Sequence, residues 1–290
     1  MIFDERAVRF SCAGLDLYGI ASVPASPARR GVVIIVGGPQ YRVGSHRQFT
    51  LLSRDLAASG IPAFRFDYRG MGDSEGSIRT FEDVNEDLRS ALDAFAEAVP
   101  SVAEFVIWGL CDAASAASFY AHHDPRVCGL VLLNPWVRTE QGIAKTYLKR
   151  YYVRRLLAPE FWTKVVKGRF NYREAGRSLR ENFGRVFSRN RQAGDDPLPD
   201  QNASPSPRPL PERMLDGLSK FTGRILVILS ENDLTAQEFE EVAKSSARWR
   251  KRMESASVVR RKLAGANHTF SRREWRDQVA NWTREWLQSW

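Results

Sequence analysis

The stretch Phe105-Val-Ile-Trp-Gly-Leu-Cys-Asp-Ala-Ala114 decides how this chain folds. Its first four residues are apolar and predict a buried strand, and the small residues from Ala113 to Ser118 predict a helix. Between them lies only Gly109-Leu-Cys-Asp-Ala113. A turn this sharp, from a strand directly into a helix, pushes its central side chain out above the sheet. That central side chain is Cys111, the first candidate for a functional residue.

The turn has the pattern of a nucleophile elbow, usually written G-x-S-x-G, with two substitutions. Cys111 replaces the serine and Ala113 replaces the last glycine. A thiol ionises more readily than a hydroxyl, and a helix N-terminus and a neighbouring histidine both favour the thiolate. The alternative is an ordinary buried cysteine, because free cysteine is among the most buried residue types. The stretch alone leaves both interpretations open.

Strands and helices alternate along most of the chain. The segments Val8–Cys12 and Leu15–Ser22 alternate in polarity and predict an antiparallel hairpin turned at Ala13-Gly14. Apolar runs then predict strands at residues 31–36, 63–66, 105–108, 129–133, 224–230 and 258–263, separated by predicted helices at 46–59, 81–96, 113–120, 237–250 and 272–288. This order predicts an α/β fold, a mostly parallel sheet with helices on both faces.

Residues 138–215 interrupt this alternation with a basic, aromatic segment that ends in a proline-rich loop at 193–211. We therefore predict one core domain from residues 1–137 and 216–290, with 138–215 as an inserted helical cap. Residues 138–213 contain 17 Lys and Arg against 8 Asp and Glu, so they hold the whole net charge of +9. Nucleic acid is an unlikely partner, because no recognition motif accompanies the charge.

Composition excludes several classes of protein. No basic segment is followed by a signal-peptide apolar run, and no stretch approaches the roughly 20 apolar residues of a membrane span. We therefore expect a cytoplasmic protein. The three cysteines are unclustered and the four histidines form no H-E-x-x-H motif, so neither a disulfide framework nor a metal is expected, and we predict no cofactor.

Two loops at the carboxyl ends of predicted strands carry the partners that a nucleophilic cysteine needs. Ser230-Glu-Asn-Asp233 follows one strand, and Gly265-Ala-Asn-His268 follows the next. We interpret His268 as the base that exchanges a proton with Cys111, and Asp233 as the acid that orients the imidazole. Glu231 is a rival for the acid, and a loop histidine can also be purely structural.

The order nucleophile, acid, base makes the chain resemble an α/β-hydrolase over nearly its whole length, apart from 138–215. Asp67-Tyr-Arg-Gly-Met-Gly-Asp-Ser74 is similar to that family's D-x-R-G-x-G-x-S turn. More narrowly, Gly-Leu-Cys-Asp-Ala-Ala-Ser-Ala and Gly-Gly-Pro-Gln-Tyr-Arg-Val-Gly-Ser-His-Arg-Gln-Phe resemble the hydrolases encoded beside exosortase A in exopolysaccharide-producing bacteria. This narrower resemblance implies a genomic setting more directly than a substrate.

The resemblance implies an oxyanion hole built from backbone N–H groups. One donor would be Asp112, directly after the nucleophile, and the second Gly37 or Gly38, since Pro39 has no N–H. The two glycines can equally be a tight turn. The Asp112 carboxylate would oppose a thiolate if it pointed inward, so we expect it to point outward.

Other residues are candidates for binding substrate or partner. His46 lies near the glycine loop, although a position at a helix start also suits a surface group. Tyr147, Tyr151 and Trp162 would line an acyl pocket in the cap, or simply pack its helices. The basic cap suits an acyl-CoA, an acyl carrier protein or an anionic membrane surface, or is a solvated face.

The predicted function is that of an enzyme, a hydrolase of ester or thioester bonds that forms an acyl-thioester on Cys111, in an exopolysaccharide and exosortase A setting. An acyltransferase with the same three residues is the nearer alternative, because a thioester can wait for an acceptor alcohol. A non-catalytic ligand-binding or assembly protein is the more distant one. The sequence leaves the acyl group, the acceptor and the oligomeric state open.

Overall fold

The computed structural model describes residues 2–38, 40–137 and 208–290. Within these residues eight strands form one sheet in the order β1-β2-β4-β3-β5-β6-β7-β8. The strands are β1 Phe3–Cys12, β2 Leu15–Pro24, β3 Arg30–Ile35, β4 Ala63–Phe66, β5 Glu104–Leu110, β6 Val127–Leu133, β7 Arg224–Ser230 and β8 Val258–Leu263.

The direction of the strands confirms the predicted sheet. Strands β1 and β2 form an antiparallel hairpin through a turn in which Ala13 and Gly14 have positive φ, and β2 pairs antiparallel with β4. From β4 to β8 every neighbouring pair is parallel. The carboxyl ends of β3 to β8 therefore lie along one edge of the sheet.

Helices cover both faces of the sheet, as predicted. The described helices are α1 Gln48–Ala58, α2 Asn85–Ala98, α3 Asp112–Tyr120, α4 Leu210–Lys220, α5 Leu234–Ser245, α6 Ala247–Met253 and α7 Arg273–Gln288. Alternate residues of β3 belong to opposite cores: Val33 and Ile35 lie in the core with α2 to α6, and Val32 and Ile34 in the core with α1 and α7. Successive side chains of a strand point to opposite faces, so these continuous apolar strands fill both cores.

The prediction of one helix over residues 237–250 is wrong. The chain forms two helices, α5 and α6, which meet at Ser246. Ser246 is extended, with φ −140° and ψ 159°, and its side chain accepts a hydrogen bond from the Trp249 N–H. A serine hydroxyl that caps a new helix competes with continuation of the old one. The helix predicted at 81–96 exists but begins later, at Asn85.

The predicted cap lies outside the described residues, except for 208–215, within which α4 begins. Helix α4 approaches α3 closely, since a Cβ on Gly217 would stand 2.2 Å from the Ser118 carbonyl oxygen. No helix among the described residues is long and apolar enough to cross a membrane.

A buried ion pair ties the turn after β4 to the start of α2. Asp87 is fully buried and accepts hydrogen bonds from the Arg69 backbone N–H at 2.8 Å and from its guanidinium at 2.7–3.1 Å. Arg69 is itself 2% exposed. Removing one partner of such a pair leaves a buried charge without compensation.

We expect Asp87→Ala to lower the free energy of unfolding by about 3 kcal/mol, because the buried Arg69 would lose its buried partner and keep only the exposed Glu86. Urea denaturation followed by circular dichroism measures this loss. Asp83→Ala is the matched control, since the Asp83 side chain is 68% exposed and pairs with Arg79 at the surface. Its effect should stay within about 0.5 kcal/mol. Equal losses in both variants would contradict the assignment.

Candidate active site

The backbone at Cys111 is strained. This residue has φ 64° and ψ −124°, values that a side chain with a Cβ rarely adopts, and it is the N-cap residue of α3. Its N–H donates to the Leu133 carbonyl at 2.9 Å, and its own carbonyl accepts from the N–H groups of Ala114 and Trp136, both at 3.1 Å. These bonds hold the turn in place. The thiol is half-buried at the carboxyl edge of the sheet.

Gly109 permits this turn. A Cβ at Gly109 would stand 2.7 Å from the backbone carbon of Ala113, closer than real Cβ contacts allow. The start of α3 therefore packs directly on the end of β5, with Ala113 fully buried between them. A methyl group fits at position 113, where the usual pattern has glycine.

Asp233 and His268 lie together on the loops after β7 and β8. Asp233 is the N-cap of α5, and its carboxylate accepts from the N–H groups of Thr235 at 3.4 Å and Ala236 at 3.1 Å. The same carboxylate lies 2.9 Å from His268 Nδ1. Glu231 instead accepts a hydrogen bond from the Gly265 N–H at 2.8 Å. Of the two acids that sequence left in competition, Asp233 is the partner of the imidazole.

The surroundings of His268 favour its charged form. Hydrogen bonding to Asp233, followed by hydrogen bonding to the Cys111 side chain, raises the pKa of His268 to about 10, against the opposing effect of burial. The imidazole is therefore protonated at neutral pH while both partners are in place. Burial raises the pKa of the thiols of Cys12 and Cys128.

Two buried polar residues that sequence reasoning missed hold the histidine loop. The Asn134 amide donates to Ser230 Oγ at 2.8 Å and to the His268 carbonyl at 3.0 Å, and accepts from the Ser230 N–H at 2.8 Å. Ser230 Oγ donates to the Asn267 carbonyl at 2.9 Å. The sequence does carry a signal for them, a polar residue at the end of each of two apolar strands. In the structure, residues at these positions hold the neighbouring loops in place.

The loop after β3 carries Gly37 and Gly38 to the start of α3. The Gly38 N–H donates to both carboxylate oxygens of Asp112, at 2.8 and 2.9 Å, and the Ala113 N–H donates to Asp112 Oδ1 at 2.9 Å. The expectation that the Asp112 side chain points outward is wrong. Three backbone N–H groups, including its own, lower the pKa of this carboxyl, although burial is the larger effect and raises it overall.

A second missed contact anchors the far end of this loop. Asp67, fully buried, accepts from the Arg42 backbone N–H at 2.6 Å and pairs with the Arg42 guanidinium. Arg42 also pairs with Asp73 at 2.5 Å. The Asp67–Ser74 turn, quoted above for its resemblance, thus serves as an anchor for the glycine loop.

No contact among the described residues links the four candidate substrate-binding residues to Cys111, Asp233 or His268. His46 is exposed, with φ 54°, in a short 3₁₀ turn at Ser45–Arg47 that precedes α1. Tyr147, Tyr151 and Trp162 lie outside the described residues. Their roles remain predictions.

Comparison with known proteins gives a family model and a set of related structures. The model described as serine aminopeptidase, S33 matches residues 27–202, more than half of the chain. The esterase Pf2001 of Pyrococcus furiosus is 15% identical, with 99% of this chain and 93% of that chain covered and a TM-score of 0.63. A thermophilic esterase from Thermogutta terrifontis is 18% identical, with 98% of each chain covered and a TM-score of 0.55.

DcsB, solved in complex with its substrate analogue, is 15% identical over 99% of both chains, with a TM-score of 0.61. No curated protein matches the chain. At such identities the similarity to solved structures establishes the fold alone.

We expect Asp233→Asn to lower the pKa of His268 from about 10 towards the ordinary value of 6.5, because the hydrogen bond to this carboxylate is the largest cause of the shift. The imidazole C–H resonances of His268, followed by NMR between pH 5 and about 11, measure this change. Glu231→Gln is the matched control and should leave the titration in place. A pKa that moves in the glutamine variant and not in the asparagine variant would reverse the assignment.

Proposed function

Since the chain belongs to the serine aminopeptidase S33 family and is an α/β-hydrolase enzyme, we propose that it cleaves ester or thioester bonds through Cys111, His268 and Asp233. The observation that carries this proposal is the position of His268 between both other residues: its Nδ1 lies 2.9 Å from the Asp233 carboxylate, and Cys111 is close enough to be the second cause of its raised pKa. The base is thus oriented by an acid and directed at a thiol on a strained elbow.

The first step is acylation of Cys111. The thiolate, which faces the His268 imidazolium at the N-terminus of α3, attacks the carbonyl carbon of the substrate and forms a tetrahedral oxyanion. The oxyanion collapses, the bond to the leaving group breaks, and His268 gives its Nε2 proton to the departing alcohol or thiol. Asp233 keeps Nδ1 protonated throughout, so Nε2 is the atom that exchanges the proton.

The second step releases the acyl group. Neutral His268 removes a proton from water, the hydroxide attacks the thioester carbon, and the Cys111 thiolate leaves. The proton taken from water is now on His268, and with Cys111 free of its acyl group the site has returned to its starting state. Cys111, Asp233 and His268 belong to the loops after β5, β7 and β8, and the glycines expected to help stabilise the oxyanion belong to the loop after β3.

An alcohol in place of water would make the same enzyme an acyltransferase. The thioester on Cys111 supports this second candidate, because it can persist until an acceptor arrives. The resemblance to hydrolases encoded beside exosortase A suggests a hydroxyl of an exopolysaccharide or its precursor as acceptor. The basic segment 138–213 suits an acyl donor carried on CoA or on an acyl carrier protein.

A non-catalytic binding protein on this fold is supported less well. Loss of catalysis would remove the need for an acid that orients the imidazole, yet Asp233 is 8% exposed and accepts hydrogen bonds from two N–H groups as well as the ring. A buried carboxylate with such a set of partners costs stability if any is lost.

We expect wild-type protein incubated with a panel of p-nitrophenyl esters and acyl-CoAs to gain the mass of one acyl group, which is absent from Cys111→Ala. Intact-protein mass spectrometry measures the adduct, and its lifetime with and without an added alcohol separates hydrolysis from transfer. Cys128→Ala is the matched control and should retain the adduct. Iodoacetamide should also label Cys111 faster than the buried Cys12. No adduct, no turnover and equal labelling of the two thiols would contradict the proposal.

The pH dependence follows from the same ion pair. The pKa of His268 is raised to about 10, so the imidazolium persists through neutral pH and is lost as pH rises through that value. For an aliphatic ester, whose leaving group needs a proton, kcat/KM should fall above about pH 10. For a p-nitrophenyl ester, whose leaving group departs without a proton, the fall should be much smaller. Identical alkaline profiles for both substrates would exclude His268 as the proton donor.

A further inference from the structure

The oxyanion hole expected from the sequence already contains an oxygen atom of the chain itself. Its two expected donors are the N–H groups of Gly38 and Asp112. The first donates to the Asp112 carboxylate at 2.8 and 2.9 Å, and the second is among the causes that lower the pKa of that carboxyl. The Ala113 N–H donates to the same group at 2.9 Å. An anionic oxygen thus sits where the oxyanion of the acylation step would be stabilised.

The surrounding backbone leaves room for this carboxylate. A Cβ at Gly37 would stand 2.3 Å from Asp112 Oδ1 and 2.5 Å from the Leu110 carbonyl oxygen, so no side chain fits there while the carboxylate is present. Glycine at position 37 therefore leaves space for the carboxylate and for the close approach of the Leu110 carbonyl.

We propose that Asp112 is a specificity-determining residue, whose carboxylate occupies the oxyanion hole until a bound substrate displaces it. The proposal rests on the function proposed above for Cys111. The carbonyl oxygen of a substrate must compete with a charged acceptor for the Gly38 N–H, and a charged acceptor forms the stronger hydrogen bond. A neutral carbonyl alone competes poorly.

Displacement requires binding energy from elsewhere on the substrate. Contacts made by the parts of a substrate that do not react can offset an unfavourable change at the reacting centre. A large, well-anchored acyl donor therefore opens the hole readily, and a small activated ester, which has few such contacts, opens it about tenfold less often. Asp112 in this way restricts acylation of Cys111 to substrates that bind by more than their carbonyl group.

We expect Asp112→Ala to speed acylation of Cys111 by p-nitrophenyl acetate about tenfold, the effect of freeing one charge-assisted hydrogen bond. The burst of p-nitrophenolate in stopped-flow measures this rate. Asp112→Asn, which has nearly the same shape and a weaker, neutral acceptor, should fall between alanine and wild type. Asp4→Ala removes an exposed carboxylate from β1 and should match wild type.

Alkylation by iodoacetamide distinguishes occupation of the oxyanion hole from a simple effect of the Asp112 charge on the thiolate, because this reaction forms no oxyanion. The proposal requires acylation to gain far more than alkylation in Asp112→Ala. Equal gains in the two rates would overturn it, since removal of a negative charge beside the thiolate would then explain both. A slower alanine variant with a normal asparagine variant would also overturn it and would show that the hydrogen bonds accepted by residue 112 support the loop.

The same data distinguish the two proposals from each other. A Cys111 adduct in wild type with no gain in Asp112→Ala overturns the role of Asp112 and leaves the proposed function intact. An adduct that forms only in the alanine variant supports both. No adduct in either protein overturns both. Should the alanine variant not fold, the near-isosteric asparagine variant carries the comparison with wild type.

Discussion

The close approach of α3 to the end of β5 is the constraint on which the rest of the site depends. It requires a residue without a side chain at position 109 and forces Cys111 into a backbone conformation that other residues avoid. As a result, the thiol lies above the sheet, directly at the N-terminus of α3. Because β3 and β5 to β8 are parallel, the loops that follow them lie at the same edge, within reach of that thiol.

Buried polar side chains then give these loops a single arrangement. Asn134 and Ser230 are 0% and 1% exposed and connect the ends of β6 and β7 to the loop of His268. Asp67 does the same for the loop of Gly38 through Arg42. A buried polar group without its partner is costly, so each of these side chains strongly disfavours any other loop conformation. The apolar core sets the scaffold, and this network sets the distances.

The charged side chains of the site affect one another's pKa values. The His268 imidazolium is stabilised by Asp233 on one side and by Cys111 on the other. Burial raises the pKa of Asp112, and the charge of His268 offsets part of that rise. A hydrolase with an empty oxyanion hole would react with any activated acyl group that reached the thiol. In the role proposed for Asp112, its carboxylate would return to the hole after each reaction, and the reactivity of the site would then depend on how its substrate binds.

The sequence by itself determined the sheet, its hairpin, the elbow and the order of the three candidate residues, because apolar periodicity and turn chemistry are local. Two helix boundaries were predicted wrongly, because neither the break at Ser246 nor the later start of α2 changes the apolar periodicity of the sequence. Only the tertiary structure decided that Asp233 rather than Glu231 meets the imidazole, and that Asp112 turns inward. The N–H groups that hold Glu231 and Asp112 come from Gly265 and Gly38 on distant segments, and no pattern within one segment records what another segment brings to it.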